Sequence, residues 1–397
     1  MIIVRALTVI AKPAIVSGAI AATAAGGWFA VDTLRPHDAP SAFQQVQGRG
    51  QRLLVSEFGD RADTIVALDP GDVAGGRTTI ATVDHAPGYG IFAALSPDGQ
   101  AIAYTALAAD EPKPGPDSPA RAAVVDVKGD VTPLADDVDL LIAPVWSPDS
   151  ASIVVRKNTP APDAAGSFEL LLLGRDGSRA TLTTWSTASV FPIAFAPDGS
   201  KLYFAALNNS GTDLYSIAPD GAAETKIAHL SDEIARDWRL SPDGATLAYS
   251  VAESGGAPAV IARTLDLRTG VAADAVAPDA LQAGPPSTGV ARGELNPAWR
   301  SGSELTIASL NLDGGGNAVT VDAAGGASAL TANSDRIDLP LAWSPDGTTL
   351  AVRAVDGKTP FDARESHVEL VHAYGPRDGA RDRVSDSADV QIVGWLP

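Results

Sequence analysis

The side chains of this sequence that could do chemistry are mostly acidic, and they gather in short stretches that each precede an apolar strand. These acids are Asp84, Asp137, Asp139, Asp232, Glu233, Glu294, Asp335, Asp338, Asp386 and Asp389. Carboxylates grouped on one surface could bind a cationic peptide, the basic tail of a partner or a divalent ion. Solvated turn residues would give the same pattern, and Arg236 and Arg336 could pair with some of these acids.

Other catalytic and metal-binding signals are weak. The absence of cysteine excludes a disulfide, a thiolate nucleophile and a zinc-thiolate site. The five histidines show no His-x-x-x-His pair and no carboxylate at ligand spacing, and His367 and His372 fall on opposite faces of one predicted strand. The sequence contains neither a Gly-x-Ser-x-Gly elbow nor a phosphate-binding glycine pattern. We therefore predict no catalytic residue, no metal and no cofactor.

Charge and composition narrow the class of protein. The 48 acidic and 29 basic residues give a net charge of −19 at pH 7. This charge repels the phosphates of nucleic acid, so nucleic acid is excluded as a partner. The 38 glycines and 29 prolines suit many short strands joined by turns.

The N-terminal segment predicts contact with a membrane. Residues 13–31 carry no charge, while Arg5 and Lys12 precede them. This pattern fits a retained single-span anchor with the acidic part outside the cytoplasm. It also fits a secretory signal peptide, because Ala22-Thr23-Ala24 resembles a cleavage site. We expect a single-pass protein of the bacterial cell membrane, or a secreted or periplasmic protein if the signal is cut.

A repeated turn motif indicates where the strands that must position the acids begin and end. Six times a bulky apolar residue, here called the anchor, is followed by a copy of Ser-Pro-Asp-Gly. The copies are Leu95-Ser96-Pro97-Asp98-Gly99, Trp146-Ser147-Pro148-Asp149-Ser150, Phe195-Ala196-Pro197-Asp198-Gly199, Leu240-Ser241-Pro242-Asp243-Gly244, the degenerate Trp299-Arg300-Ser301-Gly302, and Trp343-Ser344-Pro345-Asp346-Gly347. Consecutive anchors lie between 44 residues (Trp299 to Trp343) and 59 residues (Leu240 to Trp299) apart. This period predicts the four-stranded blades of a β-propeller.

The turn motif has a structural explanation that needs no ligand. Proline suits the second position of a type I turn, the serine hydroxyl can cap the turn, and glycine takes the last position. We therefore predict a hairpin between strand A, which ends at the anchor, and strand B, and we assign the aspartates to the turn. The anchor is expected to pack between neighbouring blades.

Counting strands predicts seven blades. The predicted B strands after the turns are 101–105, 152–156, 201–205, 246–251, 304–309 and 349–354. Arg52–Val83 supplies strands B, C and D without a preceding A strand, and Val390–Trp395 supplies a final A strand without a B strand. We expect the C-terminal strand to complete the first blade and close the ring. Six blades is the alternative, if the first set is an appendage.

This geometry places the acids. The D-to-A connections of a propeller share one face around the mouth of the central channel, opposite the Ser-Pro-Asp-Gly turns. The candidate partner-binding residues at this rim are Asp84, Asp139, Asp232, Glu233, Arg236, Glu294, Asp338 and Asp389.

Three irregular segments complete the sequence. Asp110–Ala120 and Gly270–Gly293 are predicted as insertions, either solvent loops or partner-binding loops. Asp313–Asn317 has the composition of a cation loop but too few spaced carboxylates, so a tight turn is expected. The predicted organisation is residues 1–36 as signal anchor or signal peptide, 37–50 as a tether and 51–397 as an all-β propeller.

The repeats resemble the WD40-like Pro-Asp repeat of TolB-like propellers of the bacterial envelope, over residues 52–396. The N-terminal α/β domain of TolB has no counterpart in the sequence. The resemblance implies a non-enzymatic extracytoplasmic propeller that binds another envelope or membrane protein, as scaffold, sensor or accessory subunit of a membrane complex. It brings no catalytic residues. The alternative is a secreted propeller enzyme of the lyase or lactonase type, with its site at the channel mouth.

Overall fold

The computed structural model of the chain describes residues 40–115, 117–159, 166–253, 259–276, 293–310, 316–332, 336–357, 365–385 and 389–396. Several predicted features lie outside the described residues. These are the segment 1–36 with its apolar stretch 13–31, residues 277–292 of the second insertion, residues 313–315 of the predicted turn, Asp335 and Asp386. Within the described ranges, no helix has both the length and the apolar character needed to cross a bilayer.

The described strands form seven four-stranded antiparallel sheets, which are the blades of a β-propeller. From the innermost strand outward, blade 1 contains β28 (Val390–Leu396), β1 (Arg52–Glu57), β2 (Ala62–Asp69) and β3 (Asp72–Asp84). Blade 2 contains β4 (Phe92–Leu95), β5 (Ala101–Ala106), β6 (Ala120–Asp126) and β7 (Val131–Val138). Blade 3 contains β8 (Val145–Trp146), β9 (Ser152–Thr159), β10 (Ser167–Gly174) and β11 (Arg179–Trp185), and blade 4 contains β12 (Ser189–Phe195), β13 (Leu202–Asn208), β14 (Gly211–Ile217) and β15 (Thr225–Ser231). The predicted B strands are confirmed to within a few residues at each end.

Blades 5 to 7 repeat the same order. Blade 5 contains β16 (Ala235–Leu240), β17 (Thr246–Glu253), β18 (Ala259–Asp266) and β19 (Val271–Asp274). Blade 6 contains β20 (Glu294–Trp299), β21 (Leu305–Leu310), β22 (Gly316–Val321) and β23 (Ala327–Ala329). Blade 7 contains β24 (Arg336–Trp343), β25 (Thr349–Asp356), β26 (Glu365–His372) and β27 (Arg381–Arg383). The A-to-B and C-to-D connections share one face, here called the turn face. The B-to-C and D-to-A connections share the other, here called the rim face.

The C-terminal strand closes the ring, as predicted. Strand β28 pairs antiparallel with β1, with Trp395 opposite Leu53 and Val390 opposite Glu57. The core then continues across this junction, because Leu53 and Val66 of blade 1 pack with Leu370 of blade 7. The seven-blade prediction is confirmed, and the six-blade alternative is wrong.

The hydrophobic cores lie between the facing surfaces of adjacent blades. At the junction of blades 3 and 4, for example, Val154 and Leu170 pack against Leu202 and Phe204, and all four are fully buried. Burying side chains of this size contributes about 1.5–3 kcal/mol each. Each blade therefore depends on both neighbours, which makes the ring the unit of stability.

The Ser-Pro-Asp-Gly turns confirm the structural assignment of their aspartates. In blade 5 the amide of Gly244 donates to the carbonyl oxygen of Ser241 at 2.8 Å, and the Ser241 hydroxyl donates to Asp243 at 2.6 Å. The same carboxylate accepts the amide of Ala245 at 3.1 Å. Because the Ser241 hydroxyl and the Ala245 amide stabilise the charged form, they lower the pKa of Asp243.

The anchors link each blade to the one before it. The indole N–H of Trp146 donates to the carbonyl oxygen of Ala94 at 2.9 Å, and that of Trp299 donates to the carbonyl oxygen of Arg239 at 2.9 Å. Both acceptors belong to the innermost strand of the preceding blade. The predicted packing of anchors between blades is confirmed.

A helix occupies part of the range predicted as a tether. Helix α1 (Ala42–Val46) begins at Ser41, which forms a capping box with Gln44. Its side chains Phe43 and Val46, three residues apart on one helix face, are buried against blades 1 and 2. The Ser41 hydroxyl donates to the carbonyl oxygen of Val127, which lies in the C-to-D turn of blade 2. This segment is therefore packed on the turn face.

Candidate functional site

The D-to-A connections are held to the blades by polar side chains, and the best-buried example joins blades 1 and 2. Asp63 at the start of β2 accepts hydrogen bonds from His85 Nε2 at 2.9 Å, the Ile91 amide at 3.0 Å, the Ser56 hydroxyl at 3.2 Å and the Gly59 amide at 3.2 Å. His85 is 0% exposed and Asp63 is 3% exposed. The connection that follows Asp84 is thus fixed from inside the protein.

The ionisation of His85 follows from these contacts. Desolvation works to lower its pKa, but hydrogen bonds to Asp63 and to the carbonyl oxygen of Ala86, at 2.9 Å from Nδ1, outweigh it and raise the pKa. Both ring nitrogens face acceptors, which suits the imidazolium form. The Phe58 ring stacks on the imidazole with centroids 5.8 Å apart.

Asp139 is buried in the connection between blades 2 and 3. Its carboxylate accepts from Arg156 Nε at 2.8 Å and from Arg156 Nη2, and its other oxygen accepts from the Leu141 amide at 2.9 Å. The Arg156 guanidinium also lies 4.5 Å from the centroid of the Phe191 ring. A buried, paired carboxylate of this kind positions the loop and is unavailable to a partner.

Asp338 belongs to a charged network on blade 7. Arg381 donates to both Asp338 oxygens, at 2.9 and 2.7 Å, and its Nε donates to Glu369 at 2.6 Å. His367 Nε2 lies 2.6 Å from the other Glu369 oxygen, to which Arg336 also donates at 3.3 Å. Burial would raise the pKa of Glu369, but the hydrogen bonds from His367 and Arg381 lower it. These contacts therefore favour the charged form of Glu369 inside the blade.

Glu294 has a similar structural position on blade 6. It is 0% exposed, and its Oε2 accepts the amide of Ala262 from blade 5 at 3.0 Å. Blade 4 is joined to the connection that leads into blade 5 by an uncharged residue. The Thr212 hydroxyl donates to the carbonyl oxygen of Glu233 at 3.0 Å and accepts the Ala235 amide at 2.9 Å.

The remaining predicted rim residues are at the surface. The side chains of Asp84, Asp232, Glu233 and Asp389 are exposed, and that of Asp232 is 97% exposed. Arg236 is 43% exposed and lies 3.7 Å from Asp237. Asp137, another acid of the D-to-A stretches, pairs with Lys157 at 2.6 Å and Arg179 at 3.0 Å.

Asp232 also helps to hold a histidine that the sequence did not single out. His229 on β15 places Nδ1 2.7 Å from Asp213 and Nε2 3.1 Å from Asp232. Asp213 in turn pairs with Lys226 at 2.9 Å. The hydrogen bond to Asp213 is the largest influence on the pKa of His229 and raises it; desolvation opposes this shift, and the hydrogen bond to Asp232 adds to it.

The structure shows carboxylate partners of the histidines that the sequence did not reveal. Each histidine of the described ranges meets one, and besides the three above, His372 Nε2 lies 2.7 Å from Asp382. The partners come from neighbouring strands or from the far side of a connection, so spacing along the sequence does not reveal them. Among the residues in view, no three acids or histidines converge as metal ligands.

The comparisons with known proteins address the fold. The sequence matches no family model and no curated protein. Among solved structures, it is similar to an acylaminoacyl peptidase, with a TM-score of 0.55 at 12% identity over 84% of this chain and 50% of that one. It is also similar to an oligogalacturonate lyase from Vibrio parahaemolyticus, with a TM-score of 0.51 at 13% identity over 77% of this chain and 84% of that one.

TolB from Acinetobacter baumannii is also among the similar structures, with a TM-score of 0.46 at 16% identity over 70% of this chain and 62% of TolB. The chain thus spans less than two thirds of TolB and half of the peptidase. At these identities the likeness establishes the propeller fold. The predicted β-propeller fold is confirmed at that level. The similar structures include enzymes as well as TolB.

Proposed function

We propose that the protein is an extracytoplasmic propeller that binds another envelope protein through its rim face, as scaffold, sensor or accessory subunit of a membrane complex. The partner surface we propose consists of the exposed carboxylates Asp84, Asp232, Glu233 and Asp389, with Arg236 beside them. A partner of complementary, basic character fits this surface.

The observation that carries this proposal is that some of the rim acids are buried and paired within the protein, whereas others are exposed to solvent. Asp139, Glu294 and Asp338 are buried and occupied by internal partners, so they brace the connections. Asp63 and Thr212 brace the connections that carry the exposed Asp84, Asp232 and Glu233. The backbone at Asp389 is held by the Phe58 amide, which donates to its carbonyl oxygen at 3.0 Å. A rigid loop loses little conformational freedom on binding, which favours recognition.

The other face is partly occupied. Helix α1 and its flanking residues lie on the turn face, where the Gln47 side-chain amide donates to the carbonyl oxygen of Gly99 at 2.7 Å. The Ser-Pro-Asp-Gly aspartates of that face are engaged in their own turns. Both features favour the rim face as the surface offered to a partner.

We further propose that residues 13–31 anchor the chain in the bacterial cell membrane, with the propeller on the extracytoplasmic side. The proposal depends on the uncharged stretch and on Arg5 and Lys12 before it. A secretory signal cut near Ala22-Thr23-Ala24 is the competing possibility. Mass measurement of the mature protein distinguishes the two, because cleavage removes the N-terminal segment.

Detergent extraction and co-purification test the partner surface. We expect a specific membrane protein to accompany the wild-type chain and to be lost from the double variant Asp84→Lys, Asp232→Lys. The matched control reverses two exposed acids of C-to-D turns on the turn face, Asp130→Lys and Asp378→Lys, with the same change in net charge. Equal partner recovery from both double variants would contradict the proposal.

A further inference from the structure

One position on the innermost strands departs from its equivalents in the other blades. The residue directly before the anchor is small in six blades and is Arg239 in blade 5. The six small residues are Ala94, Val145, Ala194, Ala298, Ala342 and Gly394. Equivalent positions on innermost strands form a ring around the propeller axis. The sequence therefore places one guanidinium in a ring of side chains with at most three carbons.

Packing explains why this ring is otherwise small. The anchor of the following blade lies against the position, as shown by the Trp146 indole bonded to the carbonyl oxygen of Ala94. A Cβ on Gly394 would come within 2.7 Å of the Leu95 Cβ. Arg239 keeps the usual backbone contact, since its carbonyl oxygen accepts the Trp299 indole N–H at 2.9 Å. Its long side chain extends beyond the space that the small residues fill at this position, and we infer that it points toward the channel.

Two properties of the Arg239 side chain agree with a place in the channel. It is exposed to solvent, yet desolvation by the surrounding protein lowers its pKa, with the charge of Asp237 opposing that shift. A side chain on the outer wall would show the exposure without the desolvation. A solvent-filled space walled by protein produces both.

The guanidinium has few partners for its five N–H donors. Nη1 donates to the carbonyl oxygen of Trp238 at 2.9 Å, and within the described ranges no carboxylate lies at ion-pair distance from Arg239. Arg156 and Arg381, by contrast, each hold a carboxylate. The neighbouring indole N–H of Trp238 is also buried without an acceptor. Strand β16 thus carries N–H donors, on Trp238 and Arg239, that are desolvated without enough acceptors among the described residues to compensate for the lost water.

We propose that Arg239 forms an anion site in the central channel and that its ligand is a carboxylate. The planar guanidinium matches the two oxygens of a carboxylate in a bidentate pair. The surrounding protein strengthens that pair relative to bulk water. The carboxylate can belong to a small free anion or to a chain that enters the channel. The net charge of −19 opposes entry only over short range at physiological salt, where the Debye length is about 8 Å.

Arginine side-chain NMR tests the site. The full-length protein in detergent, labelled with 15N-arginine, is titrated with acetate and separately with the neutral isostere acetamide. We expect one Nε–Hε signal to shift saturably with acetate and not with acetamide, and to be absent from Arg239→Gln. Arg175→Gln, which removes an exposed arginine from a C-to-D turn, is expected to keep the signal and its response.

The same design separates the two sources of the carboxylate. A short neutral peptide with a free C-terminal carboxylate is compared with the same peptide amidated at its C-terminus. If the Arg239 signal shifts with the free peptide and not with the amidated one, the carboxylate at the end of a chain is a competent ligand. A response to acetate alone identifies a small anion. An unchanged acetate response in Arg239→Gln, or equal responses to acetate and acetamide, would overturn the proposal. Melting of Arg239→Gln provides the folding control, and it is expected to occur no lower than in the wild type because an unpaired desolvated charge is removed.

Discussion

Asp63→Asn removes the charge to which four donors, three of them buried, are directed, and we expect it to destabilise the propeller by about 3 kcal/mol near pH 6. The donors are the His85 ring, the Ser56 hydroxyl and the amides of Gly59 and Ile91. Breaking a buried ion pair by removing one partner costs about 3–5 kcal/mol. We take the lower end, because the asparagine oxygen still accepts some of these bonds.

The pH dependence of this loss has a definite sign. The folded-state pKa of His85 is raised, so its stabilising contribution is complete below the unfolded value of about 6.5 and is lost as pH rises through the folded value. The difference between wild type and Asp63→Asn should therefore be largest in mild acid and should shrink at higher pH. The charge of Asp84 contributes to the raised pKa and remains in both proteins.

Urea unfolding followed by tryptophan fluorescence between pH 5.5 and 8.5 provides the assay. Urea is preferred to guanidinium chloride because a salt screens the charges under study. Asp60→Asn makes the same chemical change at an exposed residue three positions away and should leave the unfolding midpoint unchanged. A loss below about 1 kcal/mol, or a loss that does not vary with pH, would refute the assignment of a buried ion pair.

Three further predictions follow from named contacts. Gly244→Ala and Gly199→Ala both place alanine at φ +71°, but only at Gly244 does the new Cβ clash with a proline ring of the preceding blade, at 2.3 Å. Thermal unfolding should therefore show a larger loss for Gly244→Ala, by about 1–3 kcal/mol, and equal losses would contradict the packing. Asp338→Asn should destabilise by about 3 kcal/mol whereas Asp232→Asn should stay within about 0.5 kcal/mol in urea unfolding; similar effects would show that the two acids do not differ in burial. Asp232→Asn should also lower the pKa of His229 in an NMR titration, since one of its two carboxylate contacts is removed, and an unchanged titration would contradict that contact.

The blades could be predicted because their signals are local. The turn motif fixes where strand A ends and strand B begins, and alternation of apolar residues supplies the strand length. The predicted strand 152–156, for example, corresponds to β9, Ser152–Thr159. Ring closure followed from two incomplete strand sets that complete one another, which is a counting argument and needs no contact information.

The environment of the rim acids could not be predicted because it depends on distant residues. Asp139 meets Arg156 from a position 17 residues away, Glu294 meets an amide 32 residues away, and Asp338 meets Arg381 43 residues away. The residues next to an acid in a D-to-A connection did not show whether its side chain points inward or outward. Only the register between strands and blades decides which acids are buried.

Site-specific photo-crosslinking in cells tests the rim-face proposal most directly. A photoreactive amino acid is placed at Asp84 or Asp232 on the rim face, and at Asp130 or Asp378 on the turn face, in the full-length protein. We predict a crosslinked envelope protein at the two rim positions and none at the two turn positions. Crosslinks confined to the turn positions, or no crosslink at either rim position, would contradict the account.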